Sequence, residues 1–290
     1  GWVIGLYRYV PERQRHPLPV ILCHGLGANR FNFDLGPEKS LARHLQRLGF
    51  DVWVLELRGR GNSRKLGRRQ DVYRTPYLFD DYVCRDAPAA LARVRRETGA
   101  ERVHWVGHSM GGLILYGILQ GEHATKIASG VAVASPGDFE SAQRIPLLVP
   151  MWRMLRHMPR VHQEALAAAF APLLTRLPEA WKRIVYNPRN VEPFLIHRAI
   201  CHLISDVSRG EMLQFYDCME CSDFRTLDGT HSYREGFASM QAPLLFLAGN
   251  RDVLCPPQSA QSVYEVVSSP RKELIVFGKA HGQQEEYGHG

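Results

Sequence analysis

The feature that most restricts the fold is the run Val103-His104-Trp105-Val106-Gly107-His108-Ser109-Met110-Gly111-Gly112. A short apolar segment passes without a spacer into a glycine-flanked turn, and the turn opens directly into an apolar helical pattern through Leu119. A strand handing over this abruptly to a helix belongs to a crossover unit, and such units build parallel sheets covered by helices. The rest of the chain repeats the alternation. Trp2 to Tyr9 reads as an early strand, and Pro19 to Cys23 as a buried strand ending in the turn His24-Gly25-Leu26-Gly27. Phe50 to Leu55, Ile127 to Ser135, Leu244 to Ala248 and Glu273 to Phe277 read as further strands. Between them, Glu38 to Leu48 carries Leu41, Leu45 and Leu48 on one helical face. Asp80 to Arg96 carries Val83, Ala87, Ala90, Leu91 and Val94 at helical spacing. The expected class is α/β, with a mostly parallel central sheet flanked by helices.

The alternation breaks between Phe139 and Met240. No convincing strand is visible there, prolines cut several helical segments, and Gln163 to Leu174 is the clearest helix. A helical insertion of roughly 100 residues, on the side where strands end, has the shape of a cap over a site. The expected division is a core of residues 1–138 and 241–290, truncated at its C-terminal end, and a helical cap or lid of residues 139–240. Ile145, Leu147, Leu148, Val149, Trp152, Phe170, Trp181 and Phe194 suggest a lipophilic pocket in the cap, with plain helix packing as the alternative.

Composition excludes several classes. With 290 residues, 45% hydrophobic and 22% charged, the chain is far from disorder, collagen or coiled coil. A chain of this size can bury roughly three quarters of its unfolded surface and needs no staples. No apolar run approaches the roughly 20 residues that span a bilayer. The net charge of +7 is concentrated: residues 58–74 hold seven basic residues against Asp71, and outside them 29 basic residues face 28 acidic ones. This basic loop is expected to be solvated with some Arg–carboxylate pairs, or to meet anionic groups peripherally. Nucleic acid is not an expected partner, since no aromatic interleaving or binding motif accompanies the charge. The six cysteines are expected to be reduced and mostly buried. Cys218-Met219-Glu220-Cys221 lacks the second pair a zinc site wants, so no metal is expected. The chain opens on Gly1 without a Met or a visible secretory leader, which gives the expectation of an excerpt from a longer reading frame. Compartment and oligomeric state stay open, with the cytoplasm favoured.

Chemistry concentrates at the strand-to-helix turn. Gly107-x-Ser109-x-Gly111 matches a nucleophile elbow, in which a serine sits at a strained turn above the sheet. Neighbours two residues away on each side must lack side chains, and the following helix favours developing negative charge. A serine nucleophile needs a base, and the base an orienting carboxylate. In the order Ser, acid, His, Asp252 follows the strand ending at Ala248, and Asp138, after Ser135-Pro136-Gly137, is the alternative acid. Position favours His281 as the base, four residues past Phe277, and His289 lies further on. Two backbone N–H groups must hold an oxyanion: Met110, after the nucleophile, and Leu26 in the first glycine turn.

These motifs resemble the α/β-hydrolase superfamily over essentially the whole chain. Phe50 to Val54 with Arg58-Gly59-x-Gly61-Asn62-Ser63-Arg64, and Glu101 to Ser109, are similar to segments of the acid lipase branch. That branch carries its catalytic histidine in a Tyr-x-His-x-Asp setting, and Tyr287-Gly288-His289-Gly290 resembles its start. The resemblance therefore implies His289 as the base, with His281 as the alternative. Met110 departs from the Gln usual there, and the chain stops before the Asp.

The resemblance and the residues together imply a serine hydrolase of small-molecule or lipid carboxylic esters, with no metal or organic cofactor. An acyltransferase would use the same triad. Carboxylate-nucleophile enzymes of this fold are disfavoured by Ser109. A non-catalytic ligand-binding protein is the alternative from a different class.

Overall fold

A computed structural model describes residues 1–66, 76–143, 150, 153–154, 157–158, 160–174, 176, 179–182 and 186–290. The strands are β1 (Trp2–Val3), β2 (Gly5–Tyr9), β3 (Val20–Cys23), β4 (Val52–Glu56), β5 (Arg64–Lys65), β6 (Val103–His108), β7 (Ile127–Val133), β8 (Arg160–Val161), β9 (Val207–Ser208), β10 (Leu244–Gly249) and β11 (Lys272–Phe277). The main sheet has seven strands in the order β11-β10-β7-β6-β3-β4-β2. Only β2 runs antiparallel to its neighbour; the rest pair in parallel. The expected mostly parallel α/β sheet is therefore present.

Helices α1 (Leu41–Arg47), α2 (Ala87–Thr98), α3 (Met110–Leu119), α4 (Gln163–Leu174), α5 (Pro193–His202), α6 (Arg209–Cys221) and α7 (Pro257–Val266) connect and cover the strands. Every residue of α3 is buried, as expected of a helix that is apolar all round. It packs in one cluster with Trp105, Val83, Ala87, Leu91 and Val94. The chain enters α2 through a π-helical turn, Tyr82–Asp86, that buries Tyr82 and Asp86 together. Of the Leu41, Leu45 and Leu48 face of α1, only Leu45 packs against the core. Leu41 and Leu48 are exposed, and Ala42 is the side chain turned fully inward.

Between β7 and β10 the chain is mainly helical, with one departure from the sequence reading: β8 and β9 form a short antiparallel ladder. Two-residue strands carry too little alternation to be read from sequence. The last part of this stretch shares the main core. Phe215, Cys218, Met219, Phe224, Tyr233, Phe237 and Met240 lie in the same buried cluster as α3, and Phe224 and Tyr233 rings pack 4.8 Å apart. No helix among the described residues is long and apolar enough to cross a membrane.

Sheet order positions the site. From β3 the chain moves outward to β4, then returns to place β6 on the other side of β3. Such a switch point opens a crevice at the carboxyl ends of the strands. Cys23 pairs with Gly107, so the turn after β3 and the turn after β6 flank that crevice.

Candidate active site

Ser109 has φ 52° and ψ −118°, a positive-φ conformation outside the left-handed helical well that costs a non-glycine residue about 1–3 kcal/mol. Its N–H donates to Val133 O at 2.8 Å. The flanking glycines are sterically required. A Cβ on Gly107 would meet Gly111 C at 2.2 Å, and one on Gly111 would meet Cys23 O at 2.0 Å. The Trp105 indole N–H donates to Gly111 O at 3.1 Å, which holds the turn from below.

The structure brings Ser109, His289 and Asp252 together. His289 Nε2 lies 2.9 Å from Ser109 Oγ, and His289 Nδ1 lies 2.9 Å from Asp252 Oδ2. The His289 ring is 11% exposed and the Asp252 carboxylate is fully buried. Asp252 Oδ1 accepts the N–H groups of Leu254 at 2.9 Å and Cys255 at 2.8 Å. Its two oxygens are thus divided between backbone and ring, which fixes the plane of the carboxylate. A carboxylate on Nδ1 leaves Nε2 as the acceptor facing the hydroxyl.

His281 and Asp138 are not part of this grouping. His281 ends a short 3₁₀ turn, Lys279–His281, and is exposed. Asp138 caps the next turn, accepting Glu140 N–H at 3.1 Å, and its own N–H donates to Ser259 Oγ. His289 arrives instead on a segment laid across the end of β10. Tyr287 N–H donates to Asn250 Oδ1 at 3.1 Å, and Arg251 N–H donates to Tyr287 O at 2.9 Å.

The turn after β3 faces the elbow closely: a Cβ on Gly25 would stand 3.1 Å from Ser109 Cβ. No hydrogen bond among the described residues uses the N–H of Leu26 or of Met110. His24 braces this turn from inside. It is fully buried, with Nδ1 2.9 Å from Gly25 O, and its Nε2 accepts Leu57 N–H at 3.2 Å. Burial pushes its pKa down to about 3, so the ring is neutral and its one proton sits on Nδ1. Nothing in the spacing of the sequence singles out His24 for this brace, nor Asn29, Asn32 or His108 around the same turns.

The structure bears on two sequence expectations. Arg58 and Arg60 of the basic loop are buried, so neither can meet an anionic surface. Arg58 pairs with Asp86 at 2.6 Å and Asp81 at 3.1 Å, and Arg60 with Glu211 at 2.5 Å. Arg64 is exposed in β5; residues 67–75, with Arg68, Arg69 and Arg74, lie outside the described residues. Phe170 and Phe194, read as pocket-lining or as plain helix packing, are 52% and 60% exposed, so neither is packed into the core. The buried side of α4 is made by the small Ala167 and Ala171, which turns Phe170 outward. Ile145, Leu147, Leu148, Val149 and Trp152, and the Trp181 side chain, lie outside the described residues.

All six cysteines are free, and three of them, Cys23, Cys218 and Cys255, are buried. No group of three His, Cys, Asp or Glu gathers as metal ligands among the described residues.

Comparisons with known proteins agree with this architecture. The rat gastric triacylglycerol lipase is 35% identical over 125 residues, covering 38% of this chain and 30% of that protein. The human lysosomal acid lipase/cholesteryl ester hydrolase is 36% identical over 120 residues, again 38% and 30%. The match thus spans under a third of the length of these curated relatives. Among solved structures, a monoacylglycerol lipase from Paleococcus ferrophilus superposes with a TM-score of 0.65 at 18% identity, covering 99% of this chain and 91% of that one. An esterase from Exiguobacterium antarcticum gives 0.63 at 17% identity, covering 100% and 90%. The family model described as the alpha/beta hydrolase fold matches residues 19–286, which include Ser109 and Asp252. On that match and on its sheet order, the chain belongs to the α/β-hydrolase fold family.

Proposed function

We propose that the chain is a serine hydrolase of carboxylic esters with lipophilic acyl groups. The observation that carries this reading is the continuous contact from Asp252 through His289 to Ser109 at hydrogen-bond distances. Ser109 Oγ attacks the ester carbonyl while His289 Nε2 takes its proton. Asp252 holds the Nδ1–H tautomer and stabilises the imidazolium. The tetrahedral oxyanion is held by the Leu26 and Met110 amides, each worth roughly 3 kcal/mol in comparable sites. Collapse expels the alcohol, which takes the proton from His289, and leaves an acyl group on Ser109. Water, activated by the same imidazole, then releases the acid.

The lipophilic part rests on the relatives, named for triacylglycerol and cholesteryl ester hydrolysis. Hydrolysis of p-nitrophenyl esters from acetate to palmitate tests both parts. Turnover is expected to peak beyond acetate and to vanish in Ser109→Ala and His289→Ala, while His281→Ala keeps most of it. A dead His281→Ala beside an active His289→Ala would overturn the assignment of the base. No turnover of any ester by the wild type would overturn the reading.

A further inference from the structure

Catalysis by such a triad requires the base to hold its place relative to the elbow. The elbow and the turn after β3 are joined by strand pairing, but His289 follows β11 at a distance. The segment before it is held at Glu286 and Tyr287: Asn187 and Asn190 side chains donate to Glu286 O at 2.7 and 2.8 Å, and Asn250 accepts Tyr287 N–H. Among the described residues, one side chain hydrogen-bonds the main chain of residue 289. His108 Nε2 lies 2.8 Å from His289 O. On the other side of the same ring, Nδ1 lies 3.1 Å from Asn32 Oδ1, which also accepts Gly25 N–H at 3.3 Å.

We propose that His108 is a positioning residue for His289, donating Nε2–H to the His289 carbonyl while Asn32 orients the ring from the turn after β3. The proposal rests on the serine-hydrolase reading of the site. Asn32 and His108 then tie together the three loops that carry the Leu26 amide, the nucleophile and the base.

Proton placement follows from the partners. A carbonyl oxygen can only accept, so a neutral His108 must carry its hydrogen on Nε2. Nδ1 is then an acceptor, which Asn32 satisfies by turning its amide to present Nδ2, giving up the longer 3.3 Å bond from Gly25 N–H. Desolvation, with the nearby charge of His289 second, pushes His108 down to about 4. The ring therefore stays neutral when His289 becomes a cation 5.1 Å away, centroid to centroid. A neutral donor steadies the base without repelling its charged form.

Glutamine carries an amide N–H near the reach of Nε2, whereas asparagine ends near Nδ1. The test compares His108→Ala, His108→Gln and His108→Asn with wild type and Ser109→Ala on p-nitrophenyl butyrate. Misplacing a catalytic group by an ångström costs up to about 100-fold, so His108→Ala is expected to lower kcat about 10- to 100-fold with KM little changed. His108→Gln is expected to recover most of that loss, and His108→Asn little of it. The low-field proton resonance of His289 Nδ1–H is expected to broaden in His108→Ala and return in His108→Gln. If His108→Ala does not fold, the Gln and Asn variants carry the same contrast. Equal rates for Gln and Asn, or a loss confined to KM, would show the ring to be filler and overturn the proposal. A wild type without Ser109-dependent turnover defeats the hydrolase reading itself, and the positioning role with it.

Discussion

Asn29 and Ser205 stand 176 positions apart in the chain, and Asn29 Nδ2 donates to Ser205 Oγ at 3.0 Å. The same amide donates to His202 O at 2.8 Å, and Asn29 Oδ1 accepts Phe31 N–H at 3.0 Å. Ser205 N–H returns a bond to Gly27 O at 2.8 Å, and Gln163 Nε2 donates to Ser205 O at 2.6 Å. The turn that bears Leu26 is thus held by residues of the stretch between β7 and β10. Its aim at the crevice depends on how that stretch is docked.

Replacing Asn29 should therefore affect both stability and rate. Asn29→Ala leaves the buried Ser205 Oγ and the His202 carbonyl without this donor, a cost of about 1–3 kcal/mol. Urea unfolding should show that loss, and ester kinetics should show kcat falling more than KM rises. Unchanged kinetics in a folded Asn29→Ala protein would separate the turn from the docking of the insertion.

The elbow glycines give a sharper steric test. The obstacle facing a Cβ on Gly111 is the main-chain oxygen of Cys23 in a central strand, which no side-chain rotation relieves. Gly111→Ala should lose more than about 3 kcal/mol or fail to fold. Gly99 is the control, since its φ of 72° is left-handed but open space surrounds it. Gly99→Ala should cost only about 1 kcal/mol. Urea midpoints of the two variants, measured side by side, check the contrast.

What could be read from sequence follows the range of the interactions. The elbow was legible because its requirement is local: a serine between two glycines, after a strand and before a helix. Asp252 was legible because it lies just past a strand that the periodicity marks. The position of His289 was not, because the chain wanders after Phe277 and first makes the Lys279–His281 turn, which carries the better-placed histidine into solvent. A resemblance to a Tyr-x-His pattern pointed to it where spacing did not. The basic run announces carboxylate pairs, which Arg58 and Arg60 make, but not their burial, because the partners are remote: Asp86 and Glu211 lie 28 and 151 positions away. A charge run shows its own sign but not the carboxylates that fold onto it.

The Arg60–Glu211 pair is a second measurable consequence of that burial. Both side chains are fully buried. Glu211 also accepts Tyr82 OH at 2.6 Å and Ser208 N–H at 2.8 Å, so it ties the start of α6 to the loop after β4. Removing one partner leaves a buried charge unpaired, typically about 3–5 kcal/mol. Glu211→Gln should show a loss of this order in urea unfolding, whereas Arg60→Met with Glu211→Leu should recover much of it. A single variant as stable as wild type would mean that Arg60 is not confined as the structure has it.

Acid should weaken the fold before most carboxylates titrate, and the buried histidines set the sign. His24 and His108 have pKa values lowered from 6.5 to about 3 and about 4, chiefly by desolvation. Between those values and 6.5 the unfolded chain binds protons that the folded chain refuses, so stability falls as pH falls. It is fully present above 6.5, and each histidine removes up to about 1.4 kcal/mol per pH unit below that. Urea unfolding of wild type between pH 7 and pH 5 should show this decline. His24→Asn keeps a donor toward Gly25 O but cannot titrate. It should be less stable at pH 7, because Leu57 N–H loses its acceptor, yet lose less on acidification. The difference in slope isolates His24, because any carboxylate or other histidine that titrates in this window is common to both proteins. Parallel slopes would mean that His24 takes up its proton in the folded state, and the brace inside the Leu26 turn would then not require a neutral ring.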